Sequence, residues 1–316
     1  MPDTFTSLLL SSISKENIMT IEKAMRAPNA QFELRHLEQL QPSPLAQATT
    51  GTSGDDVYHV TRSDDKIIEN PNGGDDTVYS NVSYTLPNHV ENLVLTGTAN
   101  IFGAGNNSNN ILIGNDGRNR LNSGRGDDIV YGGGDNDVIN GGEGNDLLFG
   151  ETGNDILNGE AGNDVLEGGE GDDTYLFSAK SEQDTIIDNQ GHNSIRFHTD
   201  LSLNDLTVEV RNNETGGQDW LIAVKNSNAV LTIKNQYTQN GTTPAISQFI
   251  IGTQKLDVNS FAKYFNISLT EHTESGKTIN GSDGNDDHLI GTSGDDIIDG
   301  KAGADIMEGG DGNDTY

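Results

Sequence analysis

The sequence contains no cysteine, which excludes disulfides and thiolate metal sites and leaves the redox compartment unread. Aromatic residues make up 6% and hydrophobic residues 32%, with a single Trp, which is little material for an ordinary packed core. No apolar run approaches the roughly 18 residues of a membrane-spanning helix. The N-terminal stretch MPDTFTSLLLSSISKEN has no basic n-region and only three consecutive leucines, which argues against a cleaved secretory signal. Basic residues are scarce as well: 18 Lys and Arg stand against 49 Asp and Glu, a formal net charge of −31. Such a chain repels nucleic-acid phosphates and anionic membranes and attracts cations. Catalytic signatures are missing too. The seven His form no HExxH, no GxSxG is present, and SGKT at 275–278 has Glu271 where a phosphate loop requires glycine. The sequence therefore reads as a binding module and not as an enzyme.

What the sequence has in quantity is glycine, 39 residues of it, and aspartate, set at a fixed interval. Seven nonapeptides run without a gap from Gly114 to Leu176: GNDGRNRLN, SGRGDDIVY, GGGDNDVIN, GGEGNDLLF, GETGNDILN, GEAGNDVLE and GGEGDDTYL. A looser copy, GNNSNNILI, precedes them from Gly105, and isolated copies stand at Gly51 and around Gly74. A second array closes the sequence, where GSDGNDDHLI carries one extra residue before GTSGDDIID, GKAGADIME and GGDGNDTY resume the step. Glycines at the first, second and fourth positions are expected to permit backbone angles closed to other residues. The sixth position is Asp in Asp128, Asp137, Asp146, Asp155, Asp164 and Asp173. The eighth is apolar in Leu121, Val130, Ile139, Leu148, Leu157, Leu166 and Tyr175, within a three-residue extended stretch that turns this side chain inward. The seventh then points outward, and the row Ile129, Leu147 and Val165, like Val138 and Ile156, calls for cover by residues 57–102 or by the β-rich stretch after the array.

A turn followed by so short a strand buries nothing alone, so copies must stack. Two nonapeptides make one coil of 18 residues, which places Asp128, Asp146 and Asp164 on one edge and Asp137, Asp155 and Asp173 on the other. Gly114 to Leu176 holds 15 acidic and 3 basic residues. Carboxylates at the ~4.8 Å spacing of neighbouring strands repel by roughly 3 kcal/mol per pair at an effective dielectric near 20. A hard divalent cation bound by Asp oxygens and turn carbonyls removes that repulsion.

On these residues the chain resembles RTX (haemolysin-type) calcium-binding repeat proteins, closely over Gly105–Leu176 and Gly281–Tyr316. The resemblance implies an all-β fold, a parallel β-roll with Ca2+ between same-edge turns of successive coils. It places the ligands on Asp128, Asp137, Asp146, Asp155, Asp164 and Asp173 and, in the second array, on Asp296, Asp305 and Asp314. Asn110 and Asn119 stand where the pattern has Asp, so the first turns are expected to bind weakly or not at all. The resemblance also implies a secreted, extracellular protein, exported from a Gram-negative cell by a one-step (type I) secretion machine that reads an uncleaved C-terminal signal.

Five segments are expected. Residues 1–50 form an N-terminal segment, disordered or with short helices at Ser14–Arg26 and Gln31–Leu40 that Pro28 and Pro42 interrupt. Residues 51–104 form a degenerate lead-in of short strands, 105–176 the main calcium-binding β-roll, and 281–316 the second array. Residues 177–270 resemble the repeat-associated β domain, with hairpins across 206–237 and Trp220, Ile222, Leu231, Ile233 and Phe249 as packing residues. The sequence stops inside a repeat, at the eighth position, Tyr316, and this predicts a piece of a larger exported protein whose secretion signal lies further on. Two alternatives stand for the whole: an extracellular enzyme (protease, lipase or polysaccharide epimerase) that uses this part for secretion and folding, or an adhesin or toxin whose stalk is the roll.

Overall fold

The computed structural model describes residues 46–214, 216–237, 244–267, 278–281, 288–290, 296–302, 306–308 and 315–316. The helices expected at Ser14–Arg26 and Gln31–Leu40 lie outside them. Over these described residues the chain is a parallel β-solenoid, 4% helical. β1 (Ala48–Thr50) pairs with β3 (Lys66–Ile68) at its N-terminal end. Later strands alternate between two facing sheets. One sheet takes β2 (Val57–Val60), β4 (Thr77–Ser80), β6 (Asn92–Leu95), β8 (Ile111–Ile113), β10 (Ile129–Gly133), β12 (Leu147–Thr152), β14 (Val165–Glu170) and β16 (Gln183–Ile187). The other takes β5 (Tyr84–Thr85), β7 (Phe102–Ala104), β9 (Arg120–Arg125), β11 (Val138–Glu143), β13 (Ile156–Ala161), β15 (Thr174–Phe177) and β17 (Asn193–Phe197).

Register shows the coil directly. Leu147 lies opposite Val165 and Val138 opposite Ile156, so a coil is two nonapeptides. Outside the exact repeats the sheets continue with other coil lengths, for Val57 lies opposite Thr77, Thr77 opposite Asn92, and Val165 opposite Thr185. Hydrogen bonding between strands, and not sequence period, defines the roll.

The eighth-position side chains fill its interior as expected. Leu121, Val130, Ile139, Leu148 and Leu157 are 0% exposed and Leu166 and Tyr175 1%, and the same core runs on to Leu93 at one end and Ile186 and Ile195 at the other. Each coil thus contributes two inward side chains, and removing one leaves a hole that rigid neighbouring coils cannot close. Leu148→Ala is expected to cost about 2–5 kcal/mol, read as a lower urea midpoint at saturating Ca2+. Of the seventh-position residues Ile156 is 37% exposed, whereas Ile129 and Leu147 are 6% and 7% exposed. The expected cover by residues 57–102 is corrected by the structure, because those residues extend the sheets as further coils.

The C-terminal end of the roll is closed by antiparallel additions. β20 (Val230–Tyr237) pairs parallel with β16 and then carries β19 (Gln218–Val224) and β18 (Leu206–Asn212) as hairpins. β21 (Ile246–Ile251) pairs with β17 and carries β22 (Gln254–Asp257). The helix α1 (Val258–Tyr264) follows, its first turn capped by Asp257, which accepts from the Ser260 N–H at 2.6 Å. It stacks Phe261 on Phe249, ring centroids 3.9 Å apart, beside Trp220. Trp220, Ile222, Leu231, Ile233 and Phe249 are all 2% exposed or less, in the packing role expected of them.

In the second array β23 (Thr278–Asn280) pairs with β25 (Ile297–Asp299) and β24 (His288–Ile290) with β26 (Ile306–Glu308). Thr278 lies opposite Ile297 and His288 opposite Ile306, so the first coil is one residue longer, where GSDGNDDHLI carries its extra residue.

Candidate metal centre

Each turn between strands is built from one half of a nonapeptide. The second and fourth positions are left-handed, as in Gly142 (φ 118°) and Gly144 (φ 134°), and Glu151, Glu160 and Asp135 hold the same region without glycine's freedom. The first position is different, and here the expectation is corrected. Gly150 has no left-handed φ, but a Cβ there would lie 2.3 Å from Asp155 Oδ2 and 2.5 Å from the Gly168 carbonyl oxygen of the next coil. Glycine is required at that position for space, because two oxygens crowd its Cα.

Those oxygens belong to a ladder. The Asp128 N–H donates to Asp146 Oδ1 at 2.9 Å, and Asp146 N–H to Asp164 Oδ1 at 2.9 Å. On the other edge Asp137 N–H donates to Asp155 Oδ1 at 2.7 Å, and Asp155 N–H to Asp173 Oδ1 at 2.8 Å. The structure therefore brings the six predicted central Asp together on the two edges assigned from the sequence. All six are at most 1% exposed. One carboxylate oxygen of each accepts a backbone N–H; the other, Oδ2, is buried with no hydrogen-bond partner in all six. Six orphaned acceptors in one element are costly, since a buried unsatisfied polar group costs about 1–3 kcal/mol.

Burial pushes these carboxyls above the usual carboxylate range: Asp128, Asp155 and Asp164 to about 6, Asp137 and Asp173 to about 7, and Asp146 to about 8. Neighbouring carboxylates add to this at Asp137, Asp146 and Asp173, and the backbone N–H bonds oppose it. A raised folded pKa means that the folded chain holds protons the unfolded chain has released. The stabilisation is fully present below the unfolded value near 4 and is lost as pH rises through about 6 to 8. In chelator the full chain is therefore expected to show more strand signal in far-ultraviolet circular dichroism at pH 5 than at pH 8. Equal spectra at the two pH values would count against this electrostatic account.

Three of the four ends of the ladder carry an amide where the central positions carry a carboxylate. Asn110 Nδ2 donates to the carbonyls of Val90 (3.3 Å) and Glu91 (3.1 Å), and Asn119 Nδ2 to Asn115 Oδ1 at 2.9 Å. At the other end Asn193 accepts the Asp173 N–H at 2.8 Å and donates to Asp188 Oδ2 at 3.0 Å and the Gln190 carbonyl at 2.7 Å. An amide supplies its own N–H donors; a carboxylate has none, so only a cation or a proton completes the central positions. Sequence reading missed Asn193 and also Asp184, which accepts the Asp164 N–H at 3.2 Å. Both lie 20 residues from their ladder neighbours, and the signal that would have found them is a polar residue ahead of a short apolar stretch, as in QDTII and NSIRF.

Of the residues expected in the second array, Asp296 is 1% exposed, and its carbonyl accepts the Thr315 N–H at 2.8 Å. Asp305 and Asp314 lie outside the described residues.

The family model of the RTX calcium-binding nonapeptide repeat matches residues 104–139, 140–175 and 281–316. The chain carries RTX repeats. These repeats are calcium-binding, and the donor set found here, hard oxygens with buried acceptors lacking donors, fits Ca2+. Among curated proteins the chain is similar to the endo-1,3-1,4-beta-glycanase EglC of Rhizobium meliloti, 42% identical over 62 residues, and to the endo-1,3-1,4-beta-glycanase ExsH of the same organism, 40% identical over 62 residues. Each match covers 20% of this chain and 13% of the glycanase. The RTX repeat is not itself catalytic. Among the described residues no helix is long and apolar enough to cross a membrane.

Proposed function

We propose that this chain is a calcium-dependent folding module of a larger, secreted bacterial protein. Oδ2 of Asp128, Asp137, Asp146, Asp155, Asp164 and Asp173, with carbonyls of the first-position glycines, holds Ca2+ between same-edge turns. Asp296, Asp305 and Asp314 do the same in the second array. Bound Ca2+ supplies positive charge that cancels the repulsion along each edge and ties each coil to the next. The observation that carries this reading is the row of six buried carboxylate oxygens without a donor, bounded at three of its four ends by asparagines that have one and at the fourth by Asp184. With ions between turns starting at 114, 132, 150 and 168 on one edge and at 123, 141 and 159 on the other, about five fill the central array. A chain that folds only with Ca2+ stays threadable where the ion is scarce and folds where it is plentiful, which suits passage through a type I secretion machine to the extracellular side. A second reading, favoured by the names of the two glycanases, makes the array the calcium-dependent part of an extracellular polysaccharide-cleaving enzyme whose catalytic residues are elsewhere.

Calcium titration of two variants tests the assignment. Asp146 lies between two carboxylate neighbours on its edge, whereas Asp128 has Asn110 on one side. Asp146→Ala disturbs two gaps and is expected to lose more affinity than Asp128→Ala. Equal losses would contradict the assignment of ligands to turns.

A further inference from the structure

The carboxylate edge does not begin at the matched repeats. Asp56 N–H donates to Asp76 Oδ1 at 2.8 Å and Asp76 N–H to Glu91 Oε2 at 2.9 Å, the same backbone-to-carboxylate step that links the central Asp. Asp56, Glu69 and Asp76 each offer an oxygen within 4.8 Å of the others. Asp76 is 0% exposed, and its second oxygen, Oδ2, is buried with no hydrogen-bond partner. Among the described residues no ion pair from Lys, Arg or His reaches these three carboxylates.

Glu69 gives this cluster a different composition from the central turns. A Cβ on Gly150 would meet the carbonyl of the next coil's glycine, but a Cβ on Gly51, at the equivalent first position, would meet Glu69 Oε2 instead. A side-chain carboxylate thus takes the place of a backbone carbonyl. It is held there from both ends, as the Tyr58 hydroxyl donates to Oε2 and the Asn70 N–H to Oε1 at 2.6 Å. Glu69 is 8% exposed, so its charge is turned into the protein.

The geometry points to a separate divalent-cation site of the Ca2+ class, formed by Asp56, Glu69 and Asp76 at the N-terminal end of the roll and outside the segments that match the repeat family. Three carboxylates make a hard, oxygen-only set. The exchange of a carbonyl for a carboxylate adds a unit of negative charge, which favours a dication over a monovalent ion.

Native mass spectrometry of the full chain with Ca2+ counts the ions. Glu69→Gln keeps an oxygen for the Tyr58 hydroxyl and is expected to carry one ion fewer than the wild type, with the central ions retained. Asp76→Asn, which still accepts the Asp56 N–H, is expected to do the same, and Glu69→Gln combined with Asp146→Asn to lose one ion more. An unchanged count in both single variants overturns this site and leaves the central array as it stands. A loss of several ions together with strand signal in both also overturns it, because the carboxylates would then be structural. A wild-type chain without ions refutes this site and the calcium reading of the central array together.

Discussion

In excess chelator at pH 8 the full chain is expected to lose most of its far-ultraviolet strand signal and to expand, and millimolar Ca2+ to restore both. At that pH most carboxyls of the central array, whose values lie near 6 to 8, have given up their protons, so the edges carry nearly full charge. Neighbouring carboxylates then repel by roughly 3 kcal/mol per pair at an effective dielectric near 20. Against this each coil gains only two inward side chains, each worth about 1.5–3 kcal/mol. Repulsion along two edges thus offsets burial, the entropy of ordering each coil is left uncompensated, and the binding energy of the ion becomes folding energy. Small-angle scattering beside the circular dichroism separates unfolding from aggregation. A compact, strand-rich chain in chelator at pH 8 would show that the coils hold without a cation.

Asp146→Asn is expected to behave quite differently from Asp146→Ala. Asparagine keeps an Oδ1 that accepts the Asp128 N–H, and its amide N–H groups can turn to the turn carbonyls, as those of Asn110 and Asn193 do. The variant should carry fewer ions in the middle of the edge yet fold, and it should need less Ca2+ to fold than the alanine variant. Alanine leaves the Asp128 N–H buried without an acceptor, a penalty of about 1–3 kcal/mol on top of the lost ligand. A calcium titration followed by strand signal compares the two. If both variants shift equally, the amide does not replace the ion at this position.

Much of the roll was legible because each position of the nonapeptide has one task. Leu148 and its equivalents turn inward and Asp146 and its equivalents sit at the turn, so the period of nine placed both rows on the correct edges. Legibility ended where coil length changed. Asp184 follows Asp164 by 20 residues and Asp76 follows Asp56 by 20, yet both occupy ladder positions, since the longer turn absorbs two residues while strand pairing holds the register. The reason for glycine at position 150 was hidden too, because half of the crowding comes from Gly168 in the next coil. The end closure stacks Phe261 on Phe249 and on Trp220, the latter far earlier in the sequence, with no periodic sign of the contacts.

The most direct measurement is a crystal structure grown in Ca2+, with an anomalous difference map collected at a wavelength where calcium scatters and sulfur and the light atoms contribute little. Peaks are expected about 2.3–2.6 Å from Oδ2 of Asp128, Asp137, Asp146, Asp155, Asp164 and Asp173, in the gaps between same-edge turns. A well-ordered roll with no anomalous peak beside any of these six carboxylates would contradict the account.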